Sequence, residues 1–349
     1  MAVSLTADPT GQPTGQPTTQ PTTQPTSSPT LAANGGIWRV KVTSDGDAAY
    51  NGSTANPCTA LHWNLESSSC TLRAAVYFCI EVVPWSTIYG IASAPSQCII
   101  SLNSTAYQSI QLNAGAISLP AVVPAANISL SIHADGVSIS QSVSSDRAFY
   151  MKQSSAVTFR FILQDTSMSN IGSSSSLVDG GAFYASGISS FYMMDVSFQN
   201  TFGASGGAIY LVNITNAELE SVQFVSSTGT SGSGIFTRDV KSLLIKNSTF
   251  SGGTASTVGG AIAIENSESK VEVCSSQFLR NSAVYHGGAI SLHKCYGTVI
   301  LNGLNFSENA APYGSSVVMK QVNSGTLDSS IFSFNSVLSG GTFMWSVVL

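Results

Sequence analysis

The chain has 349 residues of which only 9% are charged, 13 basic and 18 acidic, for a formal net charge of −5. A typical globular domain is about one quarter charged, so uncharged polar side chains must replace ion pairs here. An acidic balance with no basic stripe argues against a nucleic-acid footprint.

Residues 9–30 repeat Pro-Thr-Gly-Gln and Pro-Thr-Thr-Gln units with no apolar side chain able to pack. Residues 1–34 are therefore predicted to be a disordered, Pro/Thr-rich stalk. Extended polyproline II at about 3.1 Å per residue would make residues 9–30 a semi-rigid rod of roughly 70 Å. Its threonines suit mucin-like glycosylation.

Residues 35–98 read as the N-terminal cap of a solenoid. Trp38, Val40 and Val42 alternate with Arg39 and Lys41, which predicts an opening strand over 37–43. Leu72, Ala75, Val76 and Cys79 then fall at i, i+3, i+4 and i+7, with Ser69 or Thr71 as N-cap and Pro84 as stop. That spacing predicts one short amphipathic helix, placed as a lid over the solenoid's open apolar end.

From residue 99 to 349 the chain reads as stacked coils. Apolar pairs recur loosely at first, at Ile99/Leu102, Ile117/Leu119, Ile128/Leu130/Ile132, Val137/Ile139 and Val157/Phe159/Phe161. A strict period then sets in, with Phe198, Phe224, Phe250, Phe278, Phe306 and Phe332 spaced 26 to 28 apart. Met168-Ser169-Asn170 resembles Phe198-Gln199-Asn200, so the regular register is expected to start there, with 173–179 as a loop insertion. Five residues before each phenylalanine stand Met193, Leu219, Ile245, Val273, Leu301 and Leu327, the inward side of one strand. After each turn, Phe183, Ile209, Ile235, Ile262, Ile290, Val317 and Phe343 begin a second inward strand.

No helical stripe fits between these strands, so the fold class is all-β, a right-handed parallel β-helix with an N-terminal capping helix. Gly207, Gly260 and Gly288, each second in a Gly-Gly pair, mark corners that need positive φ or close approach between coils. Asn281, Asn309 and Asn335 share a column, where Asn both tolerates the left-handed conformation and bonds its stacked neighbour. A structural ladder is expected there.

The repeated Gly-Gly-Ala-Ile and Phe-x-x-Asn, as in Phe278-Leu279-Arg280-Asn281, resemble the repeat of the chlamydial polymorphic outer membrane proteins. The resemblance covers roughly residues 161–349 and implies a surface-exposed β-helix of the pectin-lyase-like superfamily with an adhesive role. That family's membrane barrel has no counterpart in this sequence. Ser227 and Gly253 replace the Asn, and Ser233 and Ser315 the second Gly, so the ladders should be interrupted there. Cys70-Thr71-Leu72-Arg73-Ala74-Ala75 also resembles the Cys-Ser-Leu-Arg-Glu-Ala module that precedes β-helices in some large surface proteins.

Cys58, Cys70, Cys79 and Cys98 crowd the cap and lack a zinc-type Cys-x-x-Cys spacing, so two disulfides of open pairing are expected. Cys274 and Cys295 do not share a column and read equally as free thiols or a loop-reaching pair. Six glycosylation sequons begin at Asn51, Asn103, Asn127, Asn213, Asn247 and Asn305, close to the number chance provides. Residues 1–8 lack the pattern of a signal peptide, and no stretch is long enough to span a membrane. The chain stops inside an inward-facing strand at 345–349. The expectation is a fragment, truncated at its C-terminus, of an extracellular or cell-surface protein.

Catalysis has few candidates. Glu218 and Glu220 point outward about 7 Å apart by the strand rise, with Glu272 in the same strip, a separation that glycoside chemistry allows. With no buried or basic group evident to tune them, a solvated face is the simpler account. His286 and His293 flank Gly287-Gly288 without a recognised ligand spacing and read as surface histidines. Arg238, Asp239 and Lys241 form the densest charge cluster and read as a solvated strand entry. No catalytic residue, metal or cofactor is assigned. The function expected is adhesion, or binding of a glycan or a cell-surface or matrix protein, through the outer faces and the loops at 173–179 and 251–258. The alternative is a polysaccharide lyase, hydrolase or epimerase.

Overall fold

The computed structural model describes residues 37–47, 70–80, 97–102, 104–119, 128–141, 146–153, 158–173, 178–339 and 341–346. The expected stalk, Cys58 and most of the 173–179 insertion lie outside the described residues.

The strands stack into a parallel β-solenoid. One coil contains Ile235–Arg238, Ser242–Lys246, Thr249–Ser251 and Thr254–Val258, here called faces one to four. Each pairs in parallel with its equivalent in the next coil. Faces one to three form a single 24-stranded sheet, and face four is a separate five-stranded one. On face two, one inward column runs without a slip from Val40 through Ile100, Ile132, Leu163, Met193, Leu219, Ile245, Val273 and Leu301 to Leu327.

The regular register thus begins earlier than the motif spacing predicts. Met168 does pair with Phe198, but it also pairs with Ile139, which pairs with Ile110, so the register is established well before residue 168. Strand Ile37–Lys41 pairs directly with Gln97–Ser101 and is a rung of the same sheet. In Gln97–Ser101 the residues in the two inward columns are Cys98 and Ile100, not Ile99.

From Phe198 to Phe332 the phenylalanines stack face to face at 4.7–5.0 Å between ring centroids. Isolated aromatic pairs favour offset or edge-on arrangements. Here the strand spacing of about 4.8 Å fixes the separation and leaves stacking as the geometry that fills it.

From Phe183 onward each coil turns four corners, each through a residue in the left-handed region. Corner one uses Gly187, Asn213, Asp239, Asn266, Lys294 and Gln321, and corner two uses Asp195, Ser221, Asn247, Ser275, Gly303 and Ser329. Corner three uses Asn200, Ser226, Gly252, Arg280, Glu308 and Phe334, whereas corner four uses glycine in every coil from Gly180 to Gly341. Space explains the difference. A Cβ on Gly252 would meet nothing closer than 3.6 Å, but one on Gly259 would lie 2.3 Å from the Ile262 carbonyl oxygen. The next residue, Gly260, has no room either, because its Cβ would fall 1.9 Å from the Gly288 carbonyl oxygen. Gly207 and Gly288 are equally tight, at 2.2 and 2.0 Å.

Asn281, Asn309 and Asn335 are not the left-handed residues of corner three; Arg280, Glu308 and Phe334, one position earlier, are. The asparagines come just after the corner and face inward. Asn281 Nδ2 donates to Asn309 Oδ1, and Asn309 Nδ2 to Asn335 Oδ1, each at 3.0 Å. The same oxygens accept the backbone N–H of Asn281 and Asn309. Two and three coils before Asn281 the column holds Ser227 and Thr201, joined hydroxyl to hydroxyl at 2.8 Å. Between the two stretches stands Gly253, and the vacated space holds the Ser233 side chain, whose hydroxyl donates to the Gly260 carbonyl. The two departures from the repeat, Ser233 and Gly253, thus compensate each other.

At the N-terminal end, helix Leu72–Ile80 packs on strands Ile37–Lys41, Gln97–Ser101 and Ile117–Leu119. Thr71 caps it, accepting the Ala74 N–H at 3.1 Å. The helix is not amphipathic in place: Leu72 to Val76, Cys79 and Ile80 are all buried, Arg73 among them. The Arg73 guanidinium grips Asp47 through two nitrogens at 2.7 and 2.9 Å and reaches the Ala116 carbonyl at 2.6 Å. Asp47 in turn accepts the N–H groups of Asn113 and Ala114, both at 2.7 Å. This fully partnered buried pair joins three segments far apart in sequence, and a Cys79–Cys98 disulfide ties the helix to its neighbouring rung.

Candidate functional site

The solenoid offers two chemically distinct outer surfaces. On face two the outward columns carry Tyr192, Glu218 and Glu272, and beside them Glu220, Lys246 and Cys274. Parallel register places Lys246 one rung from Glu220, and its ammonium contacts Glu218 at 3.0 Å and Glu220 at 3.1 Å. A basic group therefore does stand at the two carboxylates, contrary to the sequence expectation, and it pairs with both at once. The hydrogen bonds that Lys246 donates to the two glutamates hold it above the ordinary lysine range. Lys270 pairs with Glu272 at 2.6 Å. Burial, then the charge of Glu220, raises the Tyr192 phenol. A strip whose carboxylates share a lysine is built to cancel charge.

Face one differs because corner four folds over its outer surface. A Cβ on Gly259 would sit 2.9 Å from the Ala263 Cβ, and one on Gly287 3.1 Å from that of Ser291. The overhang covers the outward column Tyr184, Tyr210, Phe236, Ala263, Ser291 and Val318, so Tyr210 and Phe236 are buried although they point away from the core. Tyr150, Tyr184, Tyr210 and Phe236 stack at 5.0–5.3 Å. Their faces are occupied by one another.

Where this aromatic stack gives way to Ala263 and Ser291, a groove of about 210 Å³ opens. Ala263 and Ser291 form its floor, Val258 and His286 one wall, and Glu265, His293 and Lys320 the other. The last three come from equivalent positions of successive coils, paired Glu265 to His293 and His293 to Lys320. Arg238, one rung earlier, engages Glu265 at 3.0 Å. Tyr313 continues the His286 column and, like Tyr285, is exposed.

His286 and His293, expected from sequence as separate surface residues, therefore line one site. His286 is half-buried, and burial first, then Lys320 and His293, push its pKa down to about 4. Its Nδ1 lies 3.4 Å from Ser291 Oγ. The imidazole is neutral near pH 7 but a feeble base, and the hydrogen bond is long, so the pair is poorly matched to nucleophilic catalysis. Among the described residues no group of His, Cys, Asp and Glu is arranged to hold a metal ion.

The asparagine ladder and Gly207, Gly260 and Gly288 belong to the wall of the solenoid rather than to this groove. Segment 251–258, expected as a binding loop, is instead the end of a face-three strand, a corner and the face-four strand Thr254–Val258. Among the cap cysteines, Cys79 and Cys98 form the disulfide that ties down the helix, and Cys70 is also disulfide-bonded. Cys274 and Cys295 are free, Cys274 facing out on face two and Cys295 buried just past corner one. Burial pushes the Cys295 thiol up to about 11. Of the sequons, Asn213 and Asn247 are exposed corner residues and Asn305 is a half-buried strand residue; the other three lie outside the described residues. Among the described residues no helix is long and apolar enough to cross a membrane.

Glu265, Ser291 and Lys320 escape a reading by sequence because the inward columns dominate the pattern. Their signal is the second and fourth positions of each face-one strand, where Phe236/Arg238, Ala263/Glu265, Ser291/His293 and Val318/Lys320 change character from coil to coil.

Residues 4–32 match the family described as PT disordered repeat. The chain matches no curated protein and no solved structure.

Proposed function

We propose that this chain is a non-enzymatic extracellular or cell-surface repeat protein that binds a glycan on the outer surface of its solenoid, at the face-one groove. The observation that carries this reading is the convergence of Glu265, His286, Ser291, His293 and Lys320 around one concave site, whereas on face two Lys246 and Lys270 are ion-paired with glutamates. Concave sites with a few convergent polar groups are the usual places for small ligands. The repeat's resemblance to the polymorphic outer membrane proteins supports a surface role, and the Cys79–Cys98 disulfide is compatible with an oxidising compartment. Domain limits of 1–34 for the stalk, 35–98 for the cap and 99–349 for the coils accompany this reading.

The rival is a carbohydrate-active enzyme using Glu218 and Glu220. One shared lysine on both carboxylates speaks for charge balance over acid–base work. The test incubates the full chain with a panel of acidic and neutral polysaccharides and reads retention and turnover together. Retention without turnover is expected. Release of reducing or unsaturated ends that disappears in Glu218→Gln or Glu220→Gln would replace this reading with the enzymatic one.

A further inference from the structure

The charged side chains Arg238, Glu265 and Lys320, in or beside the groove, are not balanced evenly along it. Glu265 is engaged by Arg238 through both Nε, at 3.1 Å, and Nη2, at 3.0 Å. One rung on stands His293, and one further Lys320, which makes no ion pair among the described residues. The Glu265 end is thus neutralised and the Lys320 end is cationic. His286 faces Lys320 and His293 across the groove, with Ser291 beneath it and Tyr313 next in its own column. Burial first, then Lys320 and His293, oppose protonation of the imidazole. On face two, by contrast, Lys246 and Lys270 are each satisfied by glutamates.

We propose that the Lys320 end of the groove captures the anionic group of an acidic polysaccharide, with Lys320 and His293 as charge partners, Ser291 as a hydroxyl partner and His286 as a proton-accepting wall. The inference rests on the glycan-binding reading and adds the charge class of the ligand. Exposed Tyr313, paired with His286 in the same column, offers ring surface to the apolar side of a sugar. Successive rungs at about 4.8 Å repeat at close to the length of one sugar unit, so a polymer lying along the axis meets equivalent positions in turn. A chain of net charge −5 without a basic stripe fits a local anion site better than a nucleic-acid surface.

Binding an anion here favours the imidazolium form of His286. The complex then takes up a proton, and affinity rises as pH falls from neutral toward about 4. The experiment is calorimetric titration of the full chain with polygalacturonate, dextran sulfate and neutral dextran, at pH 7.5 and 5.5 and in buffers of differing ionisation enthalpy. Expected are binding of the acidic polymers without the neutral one, tighter binding at pH 5.5 with proton uptake, and at least a fivefold loss in Lys320→Gln. His286→Gln should retain binding and lose much of the proton uptake. Lys246→Gln on face two should bind as the parent does. Preference between the carboxylate and sulfate polymers names the source of the anion. Equal retention of neutral dextran would overturn the anionic inference and leave the glycan reading standing, whereas no retention of any polymer would sink both. An equal loss in Lys246→Gln and Lys320→Gln would reduce the effect to overall charge and overturn the site. Circular dichroism of each variant separates lost binding from lost fold.

Discussion

The first turns of the solenoid and its middle coils solve the same problem by different means. Around Leu72–Ile80 stability depends on interactions that occur once: the Arg73–Asp47 pair with its backbone partners, the Thr71 cap and the Cys79–Cys98 disulfide. Between Phe198 and Phe332 the same contact is made again and again, a stacked phenylalanine, an inward polar rung and a glycine corner per coil. A repeated contact has neighbours on both sides that still hold when one rung is weakened. A contact made once leaves its partner buried and alone. Repetition therefore distributes stability, as expected of a quasi-one-dimensional array, while the end of the array must be fastened by specific chemistry.

The largest effect is expected at Arg73, where the fastening is singular. Arg73→Met leaves the Asp47 carboxylate buried with backbone donors only and should cost about 3–5 kcal/mol in denaturant unfolding. A loss below about 1 kcal/mol would mean that the end is held by packing rather than by the ion pair.

Within the coils, Gly260→Ala forces a Cβ against the Gly288 carbonyl and should cost about 1–3 kcal/mol or more. Gly252→Ala enters open space at a left-handed corner and should cost about 1 kcal/mol. Equal effects would remove the distinction between corner four and corner three. Asn309→Ala breaks the inward ladder in the middle, strands the Asn281 donors and the Phe278 carbonyl, and should cost about 1–3 kcal/mol by the same assay.

Smaller effects lie on the outer faces. His286 has a folded-state pKa of about 4 against an ordinary 6.5, so the unfolded chain binds more protons between those values. Its contribution is complete above about pH 6.5 and is lost as pH falls toward about 4. Melting temperatures of His286→Gln should decline less over that window than those of the parent; superimposable profiles would show that His286 is not desolvated. Lys246→Gln removes a partly exposed ion pair and should change stability by less than about 1 kcal/mol.

Much of this is legible in the amino-acid order. Alternation and period reflect which side chains must be hidden, so the inward columns, the phenylalanine stack and the parallel solenoid can be read directly from spacing. The early coils are harder because their spacing is loose: Ile110 and Ile139 share the phenylalanine column without sharing its motif. The left-handed corner falls one residue before the asparagines expected to form it, since a sequence column does not say which of two neighbours turns the chain. The helix looks amphipathic because Leu72, Ala75, Val76 and Cys79 form one apolar stripe, whereas Asp47 pairs with Arg73 and lets that residue be buried too.

The coil is thus written into the chain itself, because burial acts on every repeat alike and leaves a periodic trace. The outer surface is settled by three-dimensional register. Lys246 meets Glu218 and Glu220, Arg238 meets Glu265, and His286 meets His293 and Lys320 through rung-to-rung pairing and the overhang of corner four. Most such encounters join residues about a full coil apart, and His286 meets His293 across a corner; at these outer positions hydration rather than burial governs side-chain choice, so no period marks them.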